Sequence, residues 1–79
     1  MLTIYGKPKC PNCEKVKNVL AKKNIPFKYV DITQEEHASE KEFLISESHK
    51  SVPQAYEIDS ATGKKTYIGD FLTLYSLYF

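Results

Sequence analysis

The pattern of apolar and polar residues in the first part of the chain predicts a strand, a helix and a second strand. Residues 2–5 form a short apolar run that is typical of a buried strand. From Pro11 onward the apolar residues recur at helical spacing, and Asn24 followed by Pro26 is expected to end this helix. Residues 27–30 supply the next strand, which such a helix would join to the first in a parallel, right-handed unit.

Residues 33–50 are polar and have a helical pattern, but the sequence leaves the start of this helix open. Thr33-x-x-Glu36 and Ser39-x-x-Glu42 each match the capping box that begins many helices. Either motif could therefore mark the first turn. The apolar residues that this helix would contribute are Phe43, Leu44 and Ile45.

The last third of the chain is predicted to contain a β-hairpin and a final helix. Residues 54–58 and 64–68 would pair across a turn in which Gly63 suits a left-handed backbone position. Asp70 can cap the final helix. One face of that helix would comprise Phe71, Leu74, Tyr75 and Tyr78. The order β-α-β-α-β-β-α predicts a thioredoxin-like α/β fold, with a four-stranded mixed sheet and three helices.

Composition and charge limit the classes of function. The 79 residues, 42% apolar and 27% charged, are expected to form a single soluble domain over residues 1–79. A formal net charge of +1 argues against nucleic acid or an anionic membrane as the main partner. No apolar run approaches the roughly 20 residues that span a bilayer, and the first residues lack the pattern of a signal peptide. We therefore expect a monomer in the reducing cytoplasm.

The two cysteines carry the candidate chemistry. Cys10 and Cys13 are separated by two residues, so a bridge between them would close too small a loop to add much stability, and reversible redox chemistry is the better interpretation. Cys10 lies where the first helix begins, with Pro11 suited to the first helical position. The helix start, together with Lys7 and Lys9, favours a thiolate there. We predict that Cys10 attacks a disulfide and that Cys13, on the apolar helix face, resolves the product.

A zinc site is the main alternative interpretation of these residues. Cys10, Cys13, His37 and His49 offer two sulfurs and two nitrogens, the composition of a closed structural site. The histidines are separated by eleven residues, which is outside the usual spacing of such sites. We therefore predict no bound metal and expect both histidines to be exposed to solvent.

Several local motifs resemble the glutaredoxin family, and the likeness runs over the whole chain. Residues 7–13 resemble its active-site segment, with a lysine three places before the first cysteine. Residues 51–53 are similar to its Thr-Val-Pro, in which the proline follows a cis peptide bond and faces the cysteines. Residues 67–69 resemble the end of its last strand, and residues 70–73 the region that receives one end of glutathione. The resemblance implies a single glutaredoxin domain with no bound cofactor and glutathione as co-substrate.

The resemblance also implies a glutathione site. Its residues would be Lys7, Pro11, Asn12, Val52, Pro53, Gly69, Asp70 and Thr73. Lys7 would pair with a carboxylate of the tripeptide, and the Val52 backbone would bond its cysteinyl part as an added strand does. Two departures weaken the match: Asn12 replaces the family's larger residue, and Asp70 stands where a second glycine is common. The Asp70 carboxylate would either oppose that of the γ-glutamyl end or serve only as a helix cap.

Three functional hypotheses follow. The first is a glutathione-dependent dithiol enzyme that reduces protein disulfides and glutathione mixed disulfides. The second is a glutaredoxin-like electron donor to ribonucleotide reductase that is recharged by thioredoxin reductase. The third is a carrier of a metal or an iron–sulfur cluster, which Pro11 disfavours because families of that kind usually have glycine after the first cysteine.

Overall fold

A four-stranded mixed sheet lies at the centre of the computed structural model, which describes residues 1–49 and 51–79. Its strands are β1 (Leu2–Gly6), β2 (Phe27–Asp31), β3 (Gln54–Ile58) and β4 (Lys65–Asp70). The order across the sheet is β2-β1-β3-β4, with β1 and β2 parallel and the other two pairs antiparallel. The helices are α1 (Pro11–Lys22), α2 (Ala38–Ser46) and α3 (Phe71–Tyr78), and a 3-10 turn (Glu35–His37) precedes α2. The predicted fold class and element order are confirmed.

Residues with a left-handed backbone end two of the helices and form the hairpin turn. Asn24 follows α1 with a φ of 57°, and the N–H of Ile25 then bonds the Leu20 carbonyl at 3.0 Å, as in a Schellman motif. Ser48 ends α2 in the same way with a φ of 63°. Gly63 has a φ of 75° in the turn before β4. The predictions for Asn24 and Gly63 are thus confirmed.

The helix α2 begins without either predicted capping box, and that prediction is wrong. The Thr33 hydroxyl and backbone N–H both donate to the Asp31 carboxylate, at 2.6 and 2.9 Å, because β2 ends with this acceptor two residues away. The Ser39 hydroxyl donates to the Glu40 carboxylate at 3.1 Å. The residue before α2 makes no side-chain cap hydrogen bond. Lys50, the last residue of the predicted helical segment, lies outside the described residues.

A β-bulge carries β4 two residues past its predicted end at residue 68. Ala55 pairs with Gly69, whereas the next residue of β3 pairs with Tyr67. Ile68 is therefore the extra residue of the bulge. The pairing continues to Asp70, which lies beside the first residue of β3. The bulge thus brings the start of α3 to the end of the sheet at which β3 begins.

The two faces of the sheet bury separate apolar clusters. Helices α1 and α3 pack on one face, where the buried residues are Leu2, Ile4, Val16, Leu20, Ala55 and Leu74. Helix α2 covers the other face, where they are Tyr5, Val30, Leu44 and Tyr56. None of the helices within residues 1–49 and 51–79 is long and apolar enough to cross a membrane.

Two residues that the sequence analysis assigned to the apolar faces of their helices are exposed. Tyr75 of α3 is 56% exposed and Ile45 of α2 is 62% exposed. In each helix the preceding leucine takes the central buried position, and the next residue projects about 100° further round the axis. The buried stripe of α3 therefore rests on Phe71, Leu74 and Tyr78.

Candidate active site

Cys10 is the N-cap of α1, so its sulfur faces the unpaired amides of the first helical turn. The Cys13 backbone N–H donates to the Cys10 sulfur at 3.2 Å. Pro11 occupies the first helical position as predicted, and Lys9 directly before the cap has a φ of 59°. Cys10 is 8% exposed. The residue is therefore largely buried but keeps some accessible surface, and its sulfur accepts a hydrogen bond that stabilises negative charge.

Cys13 lies one turn further along α1 and is fully buried, with 0% of its surface exposed. Burial, followed by the neighbouring Cys10 sulfur, raises the pKa of the Cys13 thiol to about 11. The Lys7 backbone N–H and the Tyr29 hydroxyl act in the opposite direction on the same pKa. The prediction that Cys13 is the more buried thiol is confirmed, and at neutral pH it carries its proton.

The Val52–Pro53 segment forms the wall opposite the cysteines. The peptide bond between these residues is cis, as the resemblance implied, and Pro53 is fully buried. The half-buried Val52 turns its carbonyl oxygen toward the Cys10 thiol, at 3.8 Å from the sulfur. The structure thus brings Cys10 and the predicted Val52–Pro53 motif together, although 42 positions separate them.

Gln54 holds this wall in place and was not identified from the sequence as a site residue. It is 3% exposed, and its side-chain amide donates to the Ser51 carbonyl at 2.9 Å. The Tyr67 hydroxyl donates to the other end of the same amide at 2.7 Å. The sequence signal for this role was a polar residue at the start of a buried strand. Because buried amides are normally hydrogen-bonded, such a residue is expected to have specific partners.

Gly69, Asp70 and Thr73 form a compact unit at the start of α3. The Asp70 carboxylate accepts hydrogen bonds from the Thr73 N–H at 3.2 Å and from its hydroxyl at 3.4 Å, which confirms the predicted helix cap. Gly69 has a φ of 153°, and a Cβ built on it would overlap the Thr73 side chain, 2.6 Å from its hydroxyl oxygen. Glycine is therefore required at this position.

A groove beside the Val52 segment gathers part of the predicted glutathione site. It has a volume of about 510 Å³, and its lining includes Lys7, Lys41, Val52 and the apolar Leu44. Pro11 and Asn12 lie exposed in the first turn of α1, whereas Pro53 is buried. The unit at the start of α3 does not line this groove. Of the predicted glutathione residues, the groove therefore gathers Lys7 and Val52, whereas Gly69, Asp70 and Thr73 form the separate unit at the start of α3.

The two histidines are not solvent-exposed, and that prediction is wrong. His49 is half-buried, because the left-handed residue after α2 returns the chain to the sheet. Its Nε2 shares a hydrogen bond of 2.8 Å with the Tyr56 hydroxyl, and its ring lies 4.8 Å from that of Tyr67. His37 is also half-buried, with ring nitrogens within 4 Å of glutamate carboxylates. No metal-binding group of three or more His, Cys, Asp or Glu side chains occurs among residues 1–49 and 51–79.

The fold and the paired cysteines define a class of protein, the thiol–disulfide oxidoreductases of thioredoxin-like fold. A family model described as glutaredoxin matches residues 2–60. The chain belongs to the glutaredoxin family, as the sequence motifs predicted. A search of curated proteins gave no match.

Solved structures agree with this family and fold. The solution structure of glutaredoxin from Brucella melitensis is 28% identical with a TM-score of 0.66, and the match covers 96% of this chain and 75% of that chain. The crystal structure of a buckwheat glutaredoxin–glutathione complex is 19% identical with a TM-score of 0.69, covering 95% and 64% of the two chains. A mutant thioredoxin-like protein is 22% identical with a TM-score of 0.63, covering 98% and 97%. The latter two show the fold alone.

Proposed function

We propose that the chain is a dithiol glutaredoxin in which Cys10 is the nucleophile and Cys13 the resolving thiol, with glutathione as the electron donor. The unequal placement of the two sulfurs carries this proposal. Cys10 caps α1 opposite Val52 and keeps 8% of its surface exposed, whereas Cys13 is fully buried. An incoming disulfide can meet only the first sulfur directly.

The proposed reaction begins with attack of the Cys10 thiolate on a substrate disulfide. One sulfur of that disulfide becomes bonded to Cys10 and the other leaves as a thiolate, which takes a proton from water. For a protein substrate, Cys13 then attacks Cys10, releases the second substrate thiol and leaves a Cys10–Cys13 disulfide. Two glutathione molecules reduce that disulfide, become oxidised glutathione and restore both thiols.

The groove beside Val52 supports glutathione as the donor. Glutathione carries two carboxylates, and the cationic residues Lys7 and Lys41 are among those that line this groove. Val52 also lines the groove, and its backbone could pair with the cysteinyl residue as an added strand. The buckwheat glutaredoxin of similar fold was crystallised with glutathione. Exposed lysine–carboxylate pairs contribute little individually, so we expect backbone pairing at Val52 to supply most of the affinity.

Asp70 favours a second candidate function, a glutaredoxin-like donor to ribonucleotide reductase that thioredoxin reductase recharges. Its carboxylate lies at the start of α3, where the γ-glutamyl end of glutathione would approach. A negative charge at that point weakens binding of the tripeptide and would leave a dithiol that needs another reductant.

A coupled assay separates these functions. NADPH oxidation is followed with glutathione and glutathione reductase, and in parallel with thioredoxin reductase, on a small glutathione mixed disulfide and on a protein disulfide. Cys10→Ser should abolish both activities, whereas Cys13→Ser should retain deglutathionylation and lose most protein-disulfide reduction. Activity without Cys10 would overturn the assignment. Turnover with thioredoxin reductase alone would favour the second function.

A further inference from the structure

The Tyr67 side chain lies on the same face of the sheet as the Gln54 side chain, on the neighbouring strand. Tyr67 of β4 pairs with Tyr56 of β3, and because side chains alternate along a strand, Gln54 shares the face of Tyr56. The centre of the Tyr67 ring lies 5.2 Å from that of the Tyr56 ring and 4.8 Å from that of the His49 ring. Held between these rings, the Tyr67 hydroxyl lies 2.7 Å from the Gln54 side-chain oxygen.

The hydrogen bonds around the Gln54 side chain favour one orientation of its amide. The Ser51 carbonyl, 2.9 Å from the amide nitrogen, can only accept a hydrogen bond, so the amide turns its NH₂ group toward it. The amide oxygen then faces the Tyr67 hydroxyl, which donates to it. With the amide turned over, two acceptor oxygens would face each other at a buried position, where a lost hydrogen bond is costly. Tyr67 thus stabilises the orientation in which Gln54 binds Ser51.

This orientation of the Gln54 amide fixes the peptide group between Ser51 and Val52. That peptide bond is trans, so its carbonyl and its N–H point in opposite directions. Because the buried Gln54 side chain binds the Ser51 carbonyl, the Val52 N–H points away from that side chain. The carbonyl oxygen of Val52 itself lies 3.8 Å from the Cys10 sulfur. The Val52 backbone is therefore held in a defined orientation beside the nucleophile.

We propose that Tyr67, acting through Gln54, is a positioning residue that orients the Val52 N–H toward the cysteinyl backbone of a glutathione-containing substrate. This inference rests on the proposed function, in which that backbone pairs with Val52 as an added strand. A donor that is already oriented loses less conformational freedom when the substrate binds, so binding is tighter. Substrate affinity should therefore depend on Tyr67 and Gln54, whereas the reactivity of the Cys10 sulfur should not.

The first test compares Tyr67→Phe with Tyr56→Phe, a matched control. Each substitution removes one hydroxyl and keeps the ring, but the partner of the Tyr56 hydroxyl is His49. Turnover of a small glutathione mixed disulfide is followed through NADPH oxidation with glutathione and glutathione reductase. A hydrogen bond contributes roughly two- to tenfold to an equilibrium constant, so we expect Tyr67→Phe to raise the KM for the mixed disulfide about threefold. The kcat of Tyr67→Phe, and both parameters of Tyr56→Phe, should be unchanged.

Gln54→Met tests whether Tyr67 acts through Gln54. Methionine is similar in length but has no donor for the Ser51 carbonyl, so this substitution should raise the KM about tenfold. Adding Tyr67→Phe to Gln54→Met should raise the KM no further, because the hydroxyl would have no amide to orient. Effects that multiply in the double variant would contradict the proposal. If Gln54→Met does not fold, the comparison of Tyr67→Phe with Tyr56→Phe decides the question.

Alkylation of Cys10 distinguishes positioning from a general disturbance of the site. Iodoacetamide reacts with the thiolate and brings no peptide backbone that could pair with Val52, so its rate across a range of pH should be the same in Tyr67→Phe and in the unmodified protein. Slower alkylation in Tyr67→Phe, an unchanged KM, or an equal rise in KM in Tyr56→Phe would refute the inference. If the unmodified protein does not reduce the mixed disulfide, or Cys10→Ser still reduces it, the proposed function itself fails, so the two failures are distinguishable.

Discussion

Asp70 has two separable consequences, and two substitutions distinguish them. Its carboxylate caps α3 through the Thr73 N–H, and its negative charge lies where we propose that the γ-glutamyl end of glutathione binds. Asn keeps an oxygen that can accept the capping hydrogen bond but removes the charge, whereas Ala removes both. Asp70→Asn should therefore change glutathione affinity alone, and Asp70→Ala should change affinity and stability together.

The two expected magnitudes follow from this geometry. The cap bonds of 3.2 and 3.4 Å are half-buried. Loss of such a cap costs about 1 kcal/mol of unfolding free energy, or about 4–8 °C in Tm for a domain of this size. Two like charges about 5 Å apart in a largely solvated site repel by about 1 kcal/mol, which corresponds to about fivefold in affinity. We expect both variants to show a KM for glutathione about fivefold lower than that of the unmodified protein.

Thermal unfolding by circular dichroism and the glutathione-coupled assay measure the two effects separately. Asp70→Asn should keep its Tm within about 2 °C of the unmodified protein, because both asparagine and aspartate are good N-caps. Raising the ionic strength should narrow the difference in KM, because salt screens exposed charges. If Asp70→Asn has an unchanged KM, the carboxylate does not oppose glutathione and Asp70 is only a cap. If Asn destabilises as much as Ala, the capping argument is refuted.

Three further predictions concern stability, each measured by urea unfolding. Gly69→Ala should lower the free energy of unfolding by about 2–4 kcal/mol, because alanine at this position has an unfavourable φ and overlaps the Thr73 side chain. In a Thr73→Gly background the same substitution should lower the free energy of unfolding clearly less. An equal loss in both backgrounds would contradict the overlap. Ser48→Gly should stabilise by about 0.5–1 kcal/mol, since Ser48 has a φ of 63°, and any loss of stability would refute this reasoning. Burial raises the Cys13 pKa to about 11 from 9.0, so the native state keeps a proton that the unfolded chain loses. The free energy of unfolding of the reduced protein should therefore be retained below about pH 9 and fall by about 2 kcal/mol as the pH rises to about 11. The Cys13→Ser variant should show a shallower fall. If the free energy of unfolding depends on pH in the same way in both proteins, Cys13 does not contribute to it.

The features that the sequence predicted well depend on neighbours in the chain. The start of α1 at Cys10 and Pro11, its end at Asn24 and the cap at Asp70 are set by residues within one helical turn. The burial of Cys13 likewise follows from its position on the apolar side of α1. Helix periodicity and capping preferences are local rules, and they were sufficient for these features.

The features that the sequence did not predict depend on partners distant in the chain, or on competition between local ones. The Thr33 side chain could have capped a helix through the box with Glu36, but it bonds the Asp31 carboxylate instead. The histidine at the end of α2 is buried by Tyr56 and Tyr67, which belong to the hairpin. Gln54 likewise became a site residue only when Tyr67 was brought beside it.

The burial of Cys13 explains how the proposed reaction can be kept in order. The same burial that shields this thiol from disulfides in solution raises its pKa and keeps it protonated while Cys10 is free. Part of the increase in the Cys13 pKa comes from hydrogen bonding with Cys10 and from the negative charge of the Cys10 thiolate. Once Cys10 is bound in a mixed disulfide it can carry no charge, so this contribution disappears. Cys13 should therefore ionise more readily when there is a mixed disulfide to resolve, and the first step itself prepares the second.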